Sequence, residues 1–410
     1  MREIYLDNAA TTPMSPKVID IITDEMKNDF GNASSTYELG RRARNVIDRA
    51  RHQIAQDINA QDGEIIFTSG GSESNNTAIL GTAYARKNIG KKIITTPIEH
   101  PSVLNPMKRL ENEGYNIVYL NVDENGQISL EQLKKELTPD TILVSIMAVN
   151  NEVGTIMPLK EIGAMVKDSN AYFHVDNVQG MGTIKIDVKD MNIDFLSVSA
   201  HKINGPKFLG FLYENADIDI PNLILGGEQE TKRRAGTENV PGIAGFGEAV
   251  REVSEIGRDA LQKKYAHYQD IILKELDDHQ INYEINGGYG PGYSHHVLNL
   301  HLNGVSTTSL QTNLDLNGFA VSGGSACTAG SLEPSHVLIA CFGENSPRIN
   351  ESIRISFGRY NTDEEIEQFA QELVKIVQRI PVKIVFTEKI DPSVYNIVPG
   401  MSVVPKVKVK

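Results

Sequence analysis

The chain has 410 residues, with 40 Lys plus Arg against 53 Asp plus Glu and a net charge of −13 with histidine neutral. That length points to two or three structural units, or one large unit with a satellite, and a 40% hydrophobic content is enough for a sizeable core. The acidic balance argues against a direct nucleic-acid binder, which needs a basic footprint, and no apolar run approaches the ~20 residues that span a bilayer.

The N-terminus, MREIYLDNAATT, has no apolar h-region and does not read as a signal peptide. Arg41, Arg42 and Arg44 read as a solvated helix face. From about residue 64 to 213, short apolar runs alternate with helical patterns. The expected strands are 64–69, 92–96, 116–121, 141–147, 171–176, 195–199 and 208–213, several of them apolar on both faces. Helical stretches lie between them, such as 129–137 and 159–169. This is the pattern of an α/β, doubly wound, mainly parallel sheet covered by helices on both sides. A Gly-rich polar loop follows at 226–239, then a long helical pattern from 241 to 279. Strands are expected again at 295–302 and 352–357, with the small-residue loop SGGSACTAGSLEPSH between them at 322–336. A last helix over 362–379 opens with a Thr362/Glu365 capping box. The tail 381–410, with four prolines, reads as extended and outside the core. The two cysteines, Cys327 and Cys341, are too few for a disulfide scaffold or a cysteine-rich zinc module. No metal site is expected, and a reduced, cytoplasmic setting is the default.

In a doubly wound sheet, ligands bind beyond the carboxyl ends of the strands. Lys202, in SVSAHKINGPK, sits just past such an end, where desolvation or neighbouring charge makes a Schiff-base lysine nucleophilic. Asp176 ends the preceding strand, in YFHVDNVQG, where a carboxylate could hold a pyridine nitrogen protonated. That pair suits pyridoxal 5'-phosphate. TSGGSESNN follows a strand and opens a helix, so Gly70, Gly71 and Ser72 could cradle a phosphate. It matches neither the dinucleotide nor the P-loop fingerprint. His100 in PIEHPS and the run Asn150, Asn151, Glu152 come to the same edge. Each alone reads equally well as a turn, a cap or a surface residue; four strand ends delivering polar groups together point to a site.

YLDNAATTP, GGSESNN, EHPS, NNEVG, HVDNVQ, SAHKINGPK, RRAGTEN and SGGSACTAGSLEPSHVL occur in this order. Over about residues 3–378 the chain resembles the pyridoxal-phosphate-dependent cysteine desulfurases of the class V aminotransferase superfamily, with a Cys327 loop similar to that of the housekeeping, sulfur-distributing branch. The resemblance implies fold type I: a large domain over 12–258, and a smaller α+β domain from 1–11 and 259–380 carrying the mobile Cys327 loop. It implies that Lys202 holds the cofactor aldehyde, Asp176 the ring nitrogen and Gln179 the ring hydroxyl. His100 would stack on the ring and shuttle protons. Gly71, Ser72, Ser199 and His201 would bind the phosphate, and Thr237 would reach the phosphate of a partner subunit in a homodimer. Asn151 and Arg354 would hold the carboxylate of L-cysteine, and Cys327 would take its sulfur as a persulfide. The product would be L-alanine, and the sulfur would pass to acceptor proteins for iron–sulfur assembly, tRNA thiolation or thiamine synthesis. Ala33 and Tyr37 depart from the family pattern, which often has proline and histidine near these positions. Selenocysteine lyase or another class V activity is the nearest alternative. A thiol redox protein built on Cys327, or a sulfur-relay scaffold, needs no Lys202–Asp176 pair. Cys341, in an apolar helical run, reads as core.

Overall fold

A computed structural model describes residues 3–323 and 334–378. In chain order its strands are β1 (Ile4–Tyr5), β2 (Ile65–Thr68), β3 (Lys92–Thr95), β4 (Asn116–Tyr119), β5 (Thr141–Met147), β6 (Tyr172–Asp176), β7 (Phe195–Ser199), β8 (Gly210–Glu214), β9 (Tyr283–Ile285), β10 (Val297–Leu302), β11 (Phe319–Ala320) and β12 (Ser352–Ser356). The main sheet has the order β2-β8-β7-β6-β5-β3-β4. Its pairings are parallel except where β8 runs against β2 and β7. Every residue of β2, β3, β5, β7 and β8 is buried, so helices cover both faces and the continuous apolar runs are accounted for. Because β5, β6 and β7 are parallel, Met147, Asp176 and Ser199 emerge at one edge. Antiparallel β8 begins at that same edge with Gly210.

The expected strand over 208–213 starts later, at Gly210. Phe208 has φ 56°, a left-handed conformation that cannot join a pleated ladder, and its ring is exposed. The expected single helix over 241–279 is two, Val240–Ile256 and Arg258–Asp278. Gly257, at φ 84° and ψ 129°, separates them, a conformation that costs glycine little. Asn239 caps the first helix by accepting a hydrogen bond from the Gly242 amide at 3.1 Å.

Met1–Val377 forms one compact unit, with more than one hydrophobic core inside it. Val253 belongs to the core around the large sheet. Past Gly257, Leu261, Tyr265 and Tyr268 pack with Ile4, Leu6 and the antiparallel sheet β12-β10-β9 in a second core. The last helix, Asp363–Gln378, closes that core with Ile366, Phe369, Ala370 and Leu373. The capping box is present: the Glu365 amide donates to Thr362 Oγ1 and the Thr362 amide to Glu365 Oε2. Among the described residues no helix is long and apolar enough to cross a membrane. Cys327 and the tail 381–410 lie outside the described residues.

Candidate active site

The carboxyl edge of the large sheet holds a cavity of about 370 Å³. Gly71, Ser72, His100, Asn151, Asp176, Gln179, Ser199, His201, Lys202 and Arg354 all line it. Ten residues singled out in the sequence, spread over 284 positions, therefore meet in one place. Thr237 does not line this cavity; it is exposed on the 226–239 loop.

One wall is the start of the helix Gly71–Arg86. Gly70, its cap, has φ 145°, which favours glycine. A Cβ on Gly71 would stand 2.6 Å from Val178 Cγ2, and one on Gly210 only 2.7 Å from Gly70 Cα. Side chains here would fill the cradle and push the strands apart. The intrahelical ladder begins with the Ser74 amide on the Gly70 carbonyl, so the amides before it precede the first helical bond, at the positive end of the helix dipole. Ser199 and His201 stand beside this end. Burial pushes the His201 imidazole down to about 4, with Lys202 and Lys207 adding to the effect, so it is uncharged at neutral pH. Its Nδ1 meets Thr11 Oγ1 at 3.0 Å.

Asp176 is buried at the end of β6. Its Oδ2 accepts a hydrogen bond from Asn75 Nδ2 at 2.7 Å, and its Oδ1 accepts one from the Val178 amide at 3.0 Å. Across the cavity, Lys202 Nζ donates to the carbonyls of Ala9 and Ala10 at 2.6 and 2.7 Å. Gln179 Nε2 donates to the same Ala9 carbonyl at 2.9 Å. Arg354, fully buried on β12, donates to Asp7 Oδ1 at 2.7 Å and to the Asn151 carbonyl at 3.0 Å, while its Nε has no partner among the described residues. His100 caps the helix Pro101–Asn112. Just before it, Glu99 is fully buried. Burial pushes its carboxyl up to about 8, against the bonds it accepts from the Met147 amide and Thr96.

Sequence reasoning gave no role to several groups the cavity uses: the Ala9 and Ala10 carbonyls, Asp7, Asn75, Ser102 and Phe208. The run Asp-Asn-Ala-Ala-Thr-Thr after a short apolar segment could have pointed to Asp7, but the Ala9 and Ala10 carbonyls carry no side-chain signal. Asn75 lies four residues after Gly71, hence on the same helix face. Ala33 and Tyr37 are not in the cavity lining. Cys341 is buried in the helix His336–Phe342, and burial pushes its thiol up to about 12. The Arg41–Arg44 cluster is less solvated than expected at one point, since Arg44 pairs with the buried side chain of Glu238 at 2.7 Å.

The arrangement offers an amine for an aldehyde, a fixed carboxylate for a ring nitrogen, an imidazole beside both, a hydroxyl-lined helix start for a phosphate and a guanidinium for a carboxylate. The profile of the aminotransferase class-V family matches residues 4–369. A Bacillus subtilis (strain 168) protein carrying the name IscS 1 is 52% identical over 380 residues, covering 93% of this chain and 100% of its own length. A Methanosarcina thermophila protein named cysteine desulfurase IscS is 43% identical, over 92% of this chain and 93% of its own. A solved structure described as a NifS-like protein superposes with a TM-score of 0.85 at 34% identity, over 92% of this chain and 99% of that one. The chain belongs to the aminotransferase class-V family and, within it, to the cysteine desulfurases.

Proposed function

We propose that this protein is a pyridoxal-phosphate-dependent cysteine desulfurase whose reaction site is the cavity at the carboxyl edge. The observation that carries this reading is the meeting of Lys202, Asp176, His100 and Arg354 around the glycine-opened helix start. The net change is balanced: L-cysteine and an enzyme thiol become L-alanine and an enzyme persulfide, the Cβ–S bond breaking as the S–S bond forms. The cofactor, when bound, supplies an electron sink for the pair left by Cα deprotonation. The chain's own groups do the rest. Gly71 and Ser72 at the helix start, with the Ser199 hydroxyl and the His201 ring, hold the phosphate. Asp176, kept in place by Asn75 and the Val178 amide, keeps the ring nitrogen protonated, and Gln179 reaches the ring hydroxyl. Lys202 anchors the aldehyde and then moves the proton at Cα through Nζ. His100, which lines the same cavity, would stack on the bound ring and relay protons. Asn151 and Arg354 hold the substrate carboxylate. Cys327, which lies outside the described residues, receives the sulfur as a thiolate.

The protein acts as a cytoplasmic homodimer in this reading. The 226–239 loop is long and polar, yet pinned: buried Glu230 accepts from Arg51 and from the Phe67 amide, and Arg234 pairs with Glu73 at 2.9 Å. Glu230, Thr231 and Lys232 all have positive φ, a local strain that a loop keeps when its shape matters. Thr237 is exposed on this pinned loop, where it can serve the phosphate of a second subunit. The two-domain division near residue 258 is likewise supported by the change of core at Gly257. Sulfur then passes from Cys327 to acceptor proteins. Incubation with L-cysteine and a thiol reductant should release alanine and sulfide in equal amounts; alanine without sulfide, or pyruvate in place of alanine, would refute the assignment.

A further inference from the structure

We propose that Asn75 and Ser102 are positioning residues that bridge Asp176 to His100 and fix which nitrogen of the His100 ring carries hydrogen. The inference rests on the reading of Asp176 and His100 just given. Asn75 is fully buried, and its Nδ2 has two hydrogens with two partners: Asp176 Oδ2 at 2.7 Å and Ser102 Oγ at 2.9 Å. The reverse orientation of the amide would set Oδ1 against the carboxylate, so the donor assignment is the one the charge permits. The arrangement leaves Asn75 Oδ1 without a partner among the described residues. A buried orphan acceptor is costly, and the charge-assisted bond to Asp176 offsets it.

Ser102 Oγ accepts from Asn75, and its own hydrogen is available to His100 Nδ1, 2.8 Å away. The Ser102 amide also donates to Nδ1, at 3.1 Å. An amide N–H can only donate, so Nδ1 must present its lone pair and the ring hydrogen sits on Nε2. The local sequence produces this. Pro101, with no N–H, follows the capping His100, which makes Ser102 the first residue of the helix with an amide to offer. Asn75 reaches the same hydroxyl from the cradle helix. The Asp176 carboxylate and the His100 imidazole in the same cavity are thus held by one two-residue chain.

The test uses purified holoenzyme with Asn75→Ala, Ser102→Ala, Ser102→Thr and the double Asn75→Ala/Ser102→Ala. Cysteine turnover, cofactor content and nitrogen-15 spectra of histidine-labelled protein are read, with His100 assigned by its loss in His100→Gln. The bridge predicts that each alanine variant loses about tenfold in kcat, with KM within about twofold and cofactor retained. The double variant falls no further than the worse single one. Ser102→Thr, which keeps the hydroxyl, restores kcat, and wild type shows the Nε2–H tautomer at His100. Additive losses, a threonine variant as poor as the alanine one, unchanged kcat, or an Nδ1–H tautomer in wild type would overturn it. His100→Ala and Asp176→Ala separate the two levels. If these retain full turnover, the reading of the site fails; if they lose it while Asn75→Ala and Ser102→Ala do not, the bridge alone fails.

Discussion

The two edges of the seven-stranded sheet carry similar raw material and put it to different use. The amino edge has the larger hollow, about 580 Å³ against about 370 Å³, and it too contains charged groups, buried Glu64 and partly buried Asp194 and Arg86 among them. There the groups bond chiefly to the backbone, although Arg86 Nε has no partner among the described residues. Glu64 accepts from the Gln61 and Ala216 amides, and Asp194 from the Phe173 amide at 2.8 Å. Arg86 donates to the Asn170 carbonyl and lies 4.0 Å over the Tyr172 ring. At the carboxyl edge the strand ends leave glycine-opened backbone, hydroxyls and a lysine facing a common space. Neither the volume of a hollow nor a buried carboxyl marks a site; convergence of complementary chemistry does.

The strongest way to break this contrast is Lys202→Ala. It removes the residue proposed as anchor and proton carrier at the carboxyl edge and should lower turnover by roughly 10²–10⁴-fold or more, with the fold intact by circular dichroism. Appreciable desulfuration by the clean variant would undo the assignment of that edge. The cysteines come next. Cys327→Ser should lose persulfide completely, because an alcohol is a poor nucleophile toward sulfur. Cys341→Ala should keep it, at a stability cost on the order of 1 kcal/mol. Mass spectrometry after brief cysteine exposure reads both; added sulfur on Cys341 would reverse the choice.

Arg354→Ala should act on binding and stability together. Losing a charged hydrogen-bond donor to the substrate carboxylate is worth about 1.5–3 kcal/mol, or roughly 10- to 150-fold in KM. Asp7, which is only partly buried, is also left without its ion-pair partner, so stability falls as well. Steady-state kinetics and denaturant melts separate the two effects, and an unchanged KM would remove Arg354 from the substrate site.

The smallest effect belongs to the amino edge. Burial pushes Asp194 up to about 6, outweighing the Phe173 amide and Arg86. The folded protein then holds this proton to higher pH than the unfolded chain does. Its contribution to stability is therefore full at low pH and declines as pH rises from about 4 to 6. Asp194→Asn should flatten that decline by about 1–3 kcal/mol and leave kcat unchanged. A fall in kcat with the stability profile unmoved would mean that the two edges are not functionally separate.

Much of this contrast was legible in the chain. Short apolar runs, several apolar on both faces, marked the strands of the large sheet, and parallel order then told which edge Asp176 and Lys202 share. The GGS turn is a weak signal alone and gained its weight from the other strand ends that bring polar groups to the same edge. What stayed hidden was of two kinds. Backbone groups carry no letter: the Ala9 and Ala10 carbonyls meet Lys202 across 192–193 positions of sequence. Single torsions also decide boundaries, as at Phe208 and Gly257, where one positive φ delays the start of a strand or divides a helix that hydrophobic period alone runs together. Asn75 and Ser102 look like ordinary polar helix residues until the fold sets them 2.9 Å apart.

The most direct measurement of the central claim is borohydride reduction of the purified holoenzyme, followed by peptide mass spectrometry. The account predicts one phosphopyridoxyl group per chain, on the peptide containing Lys202 and on that residue. Label on a different lysine, or a protein that takes up no pyridoxal phosphate, would contradict it.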